Sequence, residues 1–348
     1  MENVSEEEWK LVFNNINAYV STVALGAACD FNLFSILSTT PGLTLAEISK
    51  KINISYYSAR VLMLCCCNTK LIYRNKSDGK YYNSSAAEKL LNSNNPDSIL
   101  GYIEFNKKIQ KPTLEFFTDS TKNEMPCGLQ AFSGDGSTLY QKLANYPEFE
   151  KIFQNGLGSY SSWMSSKLLT VKEFENSKNI LDIAGGDATL EVAICNKFSH
   201  ININILELPT VCEKTNEKIK RLNLSDRIKC NPCDVFQDKF PGGFDTVFIS
   251  HFVEIFSPDK VINLYKKIAD YLPSSGMFIL WTATADENEE GGVQAAKSSM
   301  YFLTTAGGGG FTYTFKEHEK WLKDVGLRVI NTYFFNEMEH TAIVSVKN

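Results

Sequence analysis

The run Ile180-Leu-Asp-Ile-Ala-Gly-Gly-Asp-Ala-Thr189 sets one carboxylate, Asp182, just before a pair of glycines, Gly185 and Gly186. A strand that ends in a tight glycine turn and opens a helix leaves backbone N–H groups facing a small ligand. An acid ahead of that turn can hold a cationic or hydrogen-bonding ligand group. Further polar residues recur where later apolar runs stop. Glu207, followed by Leu208, ends Ile201–Glu207; Asp234 follows Ile228–Asn231; Ser250, His251 and Glu254 close or follow Phe244–Ser250. An acid after a second strand suits two hydrogen bonds to a nucleoside ribose diol. Asp234, with Val235 and Phe236, suits an adenine amino group beside an apolar ring. Each acid alone reads as a solvated loop residue, but their gathering along one rim points to a site.

Alternating elements must carry these residues. The pattern predicts strands at Ile180–Ile183, Ile201–Glu207, Ile228–Asn231, Phe244–Ser250 and Gly276–Thr282. Helices are expected after Ala188, from Leu208-Pro209 to Leu222, and from Pro258 through Leu272. A further helix, Thr314–Val325, precedes a closing pair of strands at Arg328–Phe335 and His340–Val346. Repeated βα units argue a mostly parallel, doubly wound sheet with ligands at the carboxyl ends of its strands. Gly307–Gly310 and the acidic run Asp286–Glu290 mark an expected mobile segment, placed where a substrate lid would lie.

The first third reads differently. Trp9, Val12, Phe13, Ile16, Val20, Val23 and Ala27 recur at helical spacing, predicting one amphipathic helix from Ser5 to Ala28. Thr44-Leu-Ala-Glu47 is a capping box, and a third helix follows Ser55. Leu71–Tyr73 and Lys80–Tyr82, around Asp78-Gly79, read as a hairpin. Helices followed by a hairpin form the winged-helix pattern, a module that often binds DNA. Here the third helix offers Ser55, Tyr56, Tyr57, Ser58 and a single Arg60, too little positive charge for phosphates and base edges. Dimer packing is its expected use. Pro112–Leu143 is broken by Pro126-Cys-Gly and Ser133-Gly-Asp-Gly136, and a long helix runs from Pro147 to Leu168. The expected division is therefore 1–110, 111–173 as helical linker and pocket cover, and 174–348.

The chain has 348 residues and a formal net charge of -5, so no general attraction to nucleic acid or anionic membrane is expected. No apolar run spans a bilayer, the acidic start lacks the form of a signal peptide, and a cytoplasmic location is expected. Nine cysteines without regular spacing do not suggest a disulfide framework. Cys230-x-x-Cys233 has no matching second pair and reads as packing thiols, so no metal is expected.

The order of elements resembles the class I S-adenosylmethionine-dependent methyltransferases. The winged-helix front end makes it similar to the small-molecule O-methyltransferases typified by the caffeate and hydroxyindole enzymes. The resemblance covers nearly the whole chain and implies a Rossmann-like seven-stranded sheet behind an N-terminal, mainly α, dimerisation domain. It also implies that Asp182, Gly185 and Gly186 hold the cofactor's methionine part, that Glu207 before Leu208-Pro209 binds ribose, and that Asp234, Val235 and Phe236 lie beside adenine. A homodimer and a small aromatic acceptor are implied too. A nicotinamide-binding enzyme is disfavoured by the two closing strands and the missing G-x-G-x-x-G.

The chain departs from the family pattern at Ala184 and Ala188, where glycines are usual, and at Glu254, which stands where the family has its histidine base. Thr282 and a residue near Thr312 stand where plant-type members have supporting acids. Burial beside Phe252, Phe256 and Trp281 is expected to raise the Glu254 carboxyl toward neutrality, suiting a general base. His251 is expected to face away from Glu254, as a substrate contact or wall. Tyr160, Trp163 and Trp281 are candidate walls for a planar substrate. The expectation is methyl transfer to a hydroxyl of a small aromatic specialised metabolite. The alternatives are C- or N-methylation on the same scaffold, a small-molecule-sensing DNA-binding regulator, and a catalytically silent dimer partner.

Overall fold

The computed structural model describes residues 4–347 except 96, 145 and 308. They form two compact units, one reaching Lys107 and including Asn155–Ser159, the other holding Lys108–Gln154 and the chain from Tyr160.

In the first unit the helices Leu33–Thr39, Leu45–Lys51 and Tyr56–Asn68 precede β1 (Ile72–Arg74) and β2 (Tyr81–Asn83), which pair antiparallel. Leu33, Phe34, Ile48, Met63 and Ile72 fill the core beneath them. Thr44 and Glu47 complete their capping box, so the second of these helices starts where the hydroxyl and carboxylate satisfy two orphan N–H groups. The single N-terminal helix expected from Ser5 to Ala28 is instead two, Glu6–Ile16 and Tyr19–Asp30. The cause is local: the Asn15 and Asn17 side chains donate to the carbonyls of Leu11 and Phe13 at 2.9 and 2.8 Å, competing with the helical ladder. Trp9, Val12, Phe13 and Ile16 remain exposed along one stripe.

The second unit is built on one seven-stranded sheet. Its strands are β3 (Asn179–Ile183), β4 (Asn202–Glu207), β5 (Ile228–Pro232), β6 (Thr246–Ser250), β7 (Met277–Ala283), β8 (Leu327–Phe335) and β9 (His340–Lys347). The order is β5-β4-β3-β6-β7-β9-β8, parallel from β5 to β7, with β9 antiparallel to β7 and β8 antiparallel to β9. The chain leaves β3 to one side for β4 and comes back to its other side for β6. That reversal opens a crevice beyond the carboxyl end of β3. Ile180, Leu181 and Ile183 are wholly buried because a central parallel strand is covered on both faces. Alternation puts Asp182 on the same face as Ile180, beneath the helix Thr189–Lys197, whose Leu190 and Ile194 join that core.

The segment expected to be a mobile lid is largely helical: Val293–Tyr301 continues as a π-turn, Phe302–Ala306, with Ala295, Ser298, Thr304 and Thr305 buried. Short polar helices bracketed by glycines carry little periodicity, which hid this one from the sequence. Gly308 of the glycine run lies outside the described residues. Among the described residues no single helix is long and apolar enough to cross a membrane.

Ala184 and Ala188, in the places of the family's glycines, both have φ of 61°. An L-residue held there is strained by roughly 1–2 kcal/mol, while glycine is not, though it gives back part of the gain as unfolded-chain entropy. Ala184→Gly is therefore expected to stabilise the fold by about 0.5–1 kcal/mol, raising Tm by a degree or two in thermal unfolding.

Candidate active site

At the end of β3 the Asp182 carboxylate lies against the inner side of the turn. A Cβ on Gly185 would stand 2.0 Å from Asp182 Oδ2, so only glycine fits. Gly186 has φ of 59° and donates its N–H to Glu207 Oε2 at 3.3 Å. Leu208 N–H donates to the other oxygen at 2.7 Å. The turn of β3 and the acid of β4 are thus tied together, while Leu208 itself is exposed. Burial pushes the Glu207 carboxyl up from its ordinary value, against these two backbone donors. Asp182 is driven well above the carboxylate range, first by burial and then by the neighbouring Glu191 carboxyl.

Next along the rim, Cys233 N–H donates to the Glu207 carbonyl at 2.9 Å and delivers Asp234 beside it. The Asp234 carboxylate accepts from Phe236 N–H and Gln237 Nε2, both at 3.0 Å, so it shapes its own turn. Val235 is buried; Phe236 is partly exposed and meets Phe252 and Phe256 with ring centroids 6.1 and 4.9 Å apart. Cys230 does not pair with Cys233: its Sγ lies 2.9 Å from Cys212 Sγ, among buried packing thiols.

Beyond Ser250, at the end of β6, the backbone bends. His251 has φ of 49°, its N–H donates to the Trp281 carbonyl at 3.0 Å, and a 3-10 turn, Val253–Ile255, follows. This bend overturns the expectation that His251 and Glu254 face apart: His251 Nδ1 stands 3.7 Å from Glu254 Oε1. The left-handed residue turns the chain back at the strand end, and the short 3-10 turn then brings the two side chains to one side. Glu254 is 2% exposed and accepts from the Thr282 hydroxyl. Burial raises its carboxyl, but His251 and Thr282 together outweigh burial and hold it below its ordinary value. The expected rise toward neutrality is therefore corrected. Glu254 Oε2 and His251 Nε2 are buried and have no hydrogen-bond partner among the described residues. Gly310 packs on this bend, where a Cβ would stand 2.2 Å from the Glu254 carbonyl.

Trp281 does not wall an open pocket. It is fully buried, with its ring packed on Phe335 and His340 at 5.3 and 5.5 Å. It backs the histidines instead. Tyr160 and Trp163 are half-buried, with ring centroids 6.3 Å apart. Tyr160 also lies 5.6 Å from the His251 ring.

Three contributors to this region escaped the sequence reading. His340 accepts at Nε2 from the Tyr160 hydroxyl at 3.2 Å, while its Nδ1–H donates to the Met338 carbonyl at 2.5 Å, a tautomer assigned from these partners. Burial, then the adjacent His251, holds its pKa down to about 3, and the two imidazoles are 4.9 Å apart. The signal was register: β9 runs antiparallel, so its first residue pairs with Ala283, beside the rim. Gln294 donates to Tyr160 at 3.1 Å from the unforeseen helix. Glu191, one turn into the helix after Ala188, reads from sequence as a solvated helix residue; only the packing of that helix on β3 shows it buried.

A wound sheet with acids along its carboxyl rim and a helical module ahead of it defines an S-adenosylmethionine-dependent methyltransferase of class I type. The family model of the O-methyltransferase domain matches residues 120–328, and that of the O-methyltransferase dimerisation domain matches residues 13–93. The chain belongs to this O-methyltransferase family. It is 30% identical over 302 residues to an L-tyrosine C(3)-methyltransferase of Streptomyces lavendulae, covering 87% of this chain and 82% of that one. It is 26% identical over 314 residues to a 3-hydroxy-5-methyl-1-naphthoate 3-O-methyltransferase of Streptomyces sahachiroi, covering 90% and 88%. The human N-acetylserotonin methyltransferase in complex with S-adenosylmethionine superposes with a TM-score of 0.84 at 18% identity, across 100% of both chains. The cofactor is S-adenosylmethionine, and the chain is a methyltransferase of the specialised-metabolite type.

The residues at the rim fit that cofactor: a fully buried Asp182 carboxyl against a turn whose Gly185 leaves no room for a Cβ, and an acid on β4 preset by two backbone donors. Gly185→Ala is expected to displace Asp182 and weaken S-adenosylmethionine binding at least about tenfold by calorimetry, the clash costing over about 1.4 kcal/mol.

Proposed function

We propose that the chain methylates a small phenolic acceptor, with His251 Nε2 taking the acceptor's proton and Glu254 holding the imidazole in place. The observation that carries this reading is the His251–Glu254 pair itself, with Nδ1 turned to the buried carboxylate and Nε2 left without a partner among the described residues. A carboxylate held below its ordinary value stays charged and favours the imidazolium formed when the proton arrives. Glu254 is thus the orienting acid rather than the base, although it occupies the position of the family's histidine.

Asp182, Gly185 and Gly186 would hold the methionine part of the cofactor, Glu207 and Leu208 the ribose, and Asp234, Val235, Phe236 and Ser250 the adenine side. Bound there, S-adenosylmethionine supplies an electrophilic methyl group on a sulfonium. Tyr160, kept in place by His340 and Gln294, and Trp163 would contact the acceptor ring. The same proton removal raises electron density at the ring carbon beside a phenolic oxygen. Carbon methylation is therefore a second reading, supported by the relative named as an L-tyrosine C(3)-methyltransferase.

We assign residues 1–110 to dimerisation, 111–173 to the pocket cover and 174–348 to cofactor binding. The exposed Trp9, Val12, Phe13 and Ile16 stripe and the matching dimerisation domain support a homodimer.

Incubation with methyl-labelled cofactor and a panel of phenols, followed by NMR of the product, tests the function. An aryl methyl ether is expected; a ring methyl would select the second reading, and methylation confined to amines would overturn both. His251→Asn is expected to lower kcat by about 10²–10⁴ and Glu254→Gln by roughly 10–100, with cofactor affinity little changed. If the asparagine variant stays active while the glutamine variant is inert, Glu254 is the base.

A further inference from the structure

Beneath the glycine turn two acids face each other without a cation between them. Asp182, from β3, is fully buried, and Glu191, from the first turn of the helix Thr189–Lys197, is 1% exposed. Their carboxyl groups are within hydrogen-bonding reach of each other, no other side chain donates to either among the described residues, and the backbone N–H groups of Ile183 and Glu191 favour the charged forms without outweighing burial. Two carboxylates in such contact cannot both ionise in a dry site, so the pair holds a proton.

The surroundings do not remove it. Glu207 across the turn and Asp187 within it add negative charge, and both weigh against ionisation. The nearest cation, Lys218 on the helix Pro209–Arg221, is committed to Asp187 Oδ2 at 2.6 Å and Thr189 Oγ1 at 2.7 Å. The Cys195 and Cys230 thiols nearby are pushed up by burial and stay neutral. Lys218, the two backbone N–H groups and the amino-terminal end of the helix favour a second negative charge, but in the free protein they do not overcome burial.

We propose that Asp182 and Glu191 are a proton-loaded carboxyl pair that gives up its proton when the cofactor's α-ammonium group settles on the turn, so that this chain binds its cofactor in exchange for a proton. The proposal rests on the reading that the methionine part lies at Gly185 and Gly186. A cation seated there is separated from Asp182 by a residue with no side chain, since the Asp182 carboxylate occupies the space of the missing Cβ. Glu191 acts through Asp182: it stores the proton in the free protein and carries the second charge in the complex. The helix dipole and the incoming ammonium replace what the proton did.

The sign follows from linkage. Protons bound only to the free form oppose binding, so affinity rises with pH, by up to about tenfold per pH unit for one proton, and levels off where the free pair is already ionised. Calorimetric titration at pH 6.5, in buffers of differing ionisation enthalpy, counts the proton directly. At that pH a free α-amino group, titrating near ~7.7–8.0, is already protonated and takes up little. Close to one proton released per S-adenosylmethionine is expected. S-Adenosylhomocysteine, which keeps the ammonium but not the sulfonium, is expected to release the same.

Glu191→Gln removes the neighbouring acid and lets an amide donate to Asp182, so the Asp182 carboxyl should fall, with release well below one proton and a shallower pH dependence below 6.5. No release from the native chain, undiminished release from the glutamine variant, or release with S-adenosylmethionine alone would overturn the proposal. Asp182→Asn separates the two layers: if it binds cofactor as tightly as the native chain, the placement of the cofactor fails instead.

Discussion

The contact between Gly185 and the Asp182 carboxylate is the constraint on which the rim depends. A side chain at 185 would push the acid aside and leave Glu191 alone beneath the turn. Because the carboxylate occupies that space, the chain bends sharply enough for Gly186 N–H to reach Glu207 on the neighbouring strand at 3.3 Å. One missing Cβ therefore couples the ends of β3 and β4 and sets the distance between two acids. The strain that remains is carried by Ala184 and Ala188, held in the left-handed region on either side.

The sheet and its rim were legible because their signals are one-dimensional. Ile180, Leu181 and Ile183 announce a doubly buried strand by composition alone, and Glu207 announces a strand end because Leu208-Pro209 forces a helix to start there. Residues far apart in sequence then share a rim for topological reasons, since every parallel strand ends on the same side. His340 defeated that logic because its strand runs the other way, so it begins where the others stop. The break at Asn17 was missed because apolar spacing continues across it, while the competition that ends the helix lies in amide side chains.

The catalytic region was legible only as composition. His251, Glu254 and Thr282 could be named, but their relation could not, since it depends on one positive φ at His251. In a regular helix, residues three apart lie on neighbouring positions of one face; after a sharp bend that spacing says nothing reliable. The same blindness affected the charge state. Burial alone predicts a raised Glu254 carboxyl, and the reversal comes from two neighbours that only the fold supplies.

The two buried acids on the rim show how one residue type is used in opposite ways. Glu254 is as deeply buried as Glu191, yet it is held in the charged form, because a hydroxyl donates to it and an imidazole stands beside it. Glu191 has no such side-chain donor among the described residues, and the side chain that meets its carboxyl is another acid. Burial is nearly equal at the two sites, so burial cannot be what separates them; the partner is. A carboxylate that must stay charged to hold a base needs permanent donors. A carboxyl that must change charge when a cation arrives needs weaker support, and Asp182 and Glu191 have backbone N–H groups but no side-chain donor among the described residues.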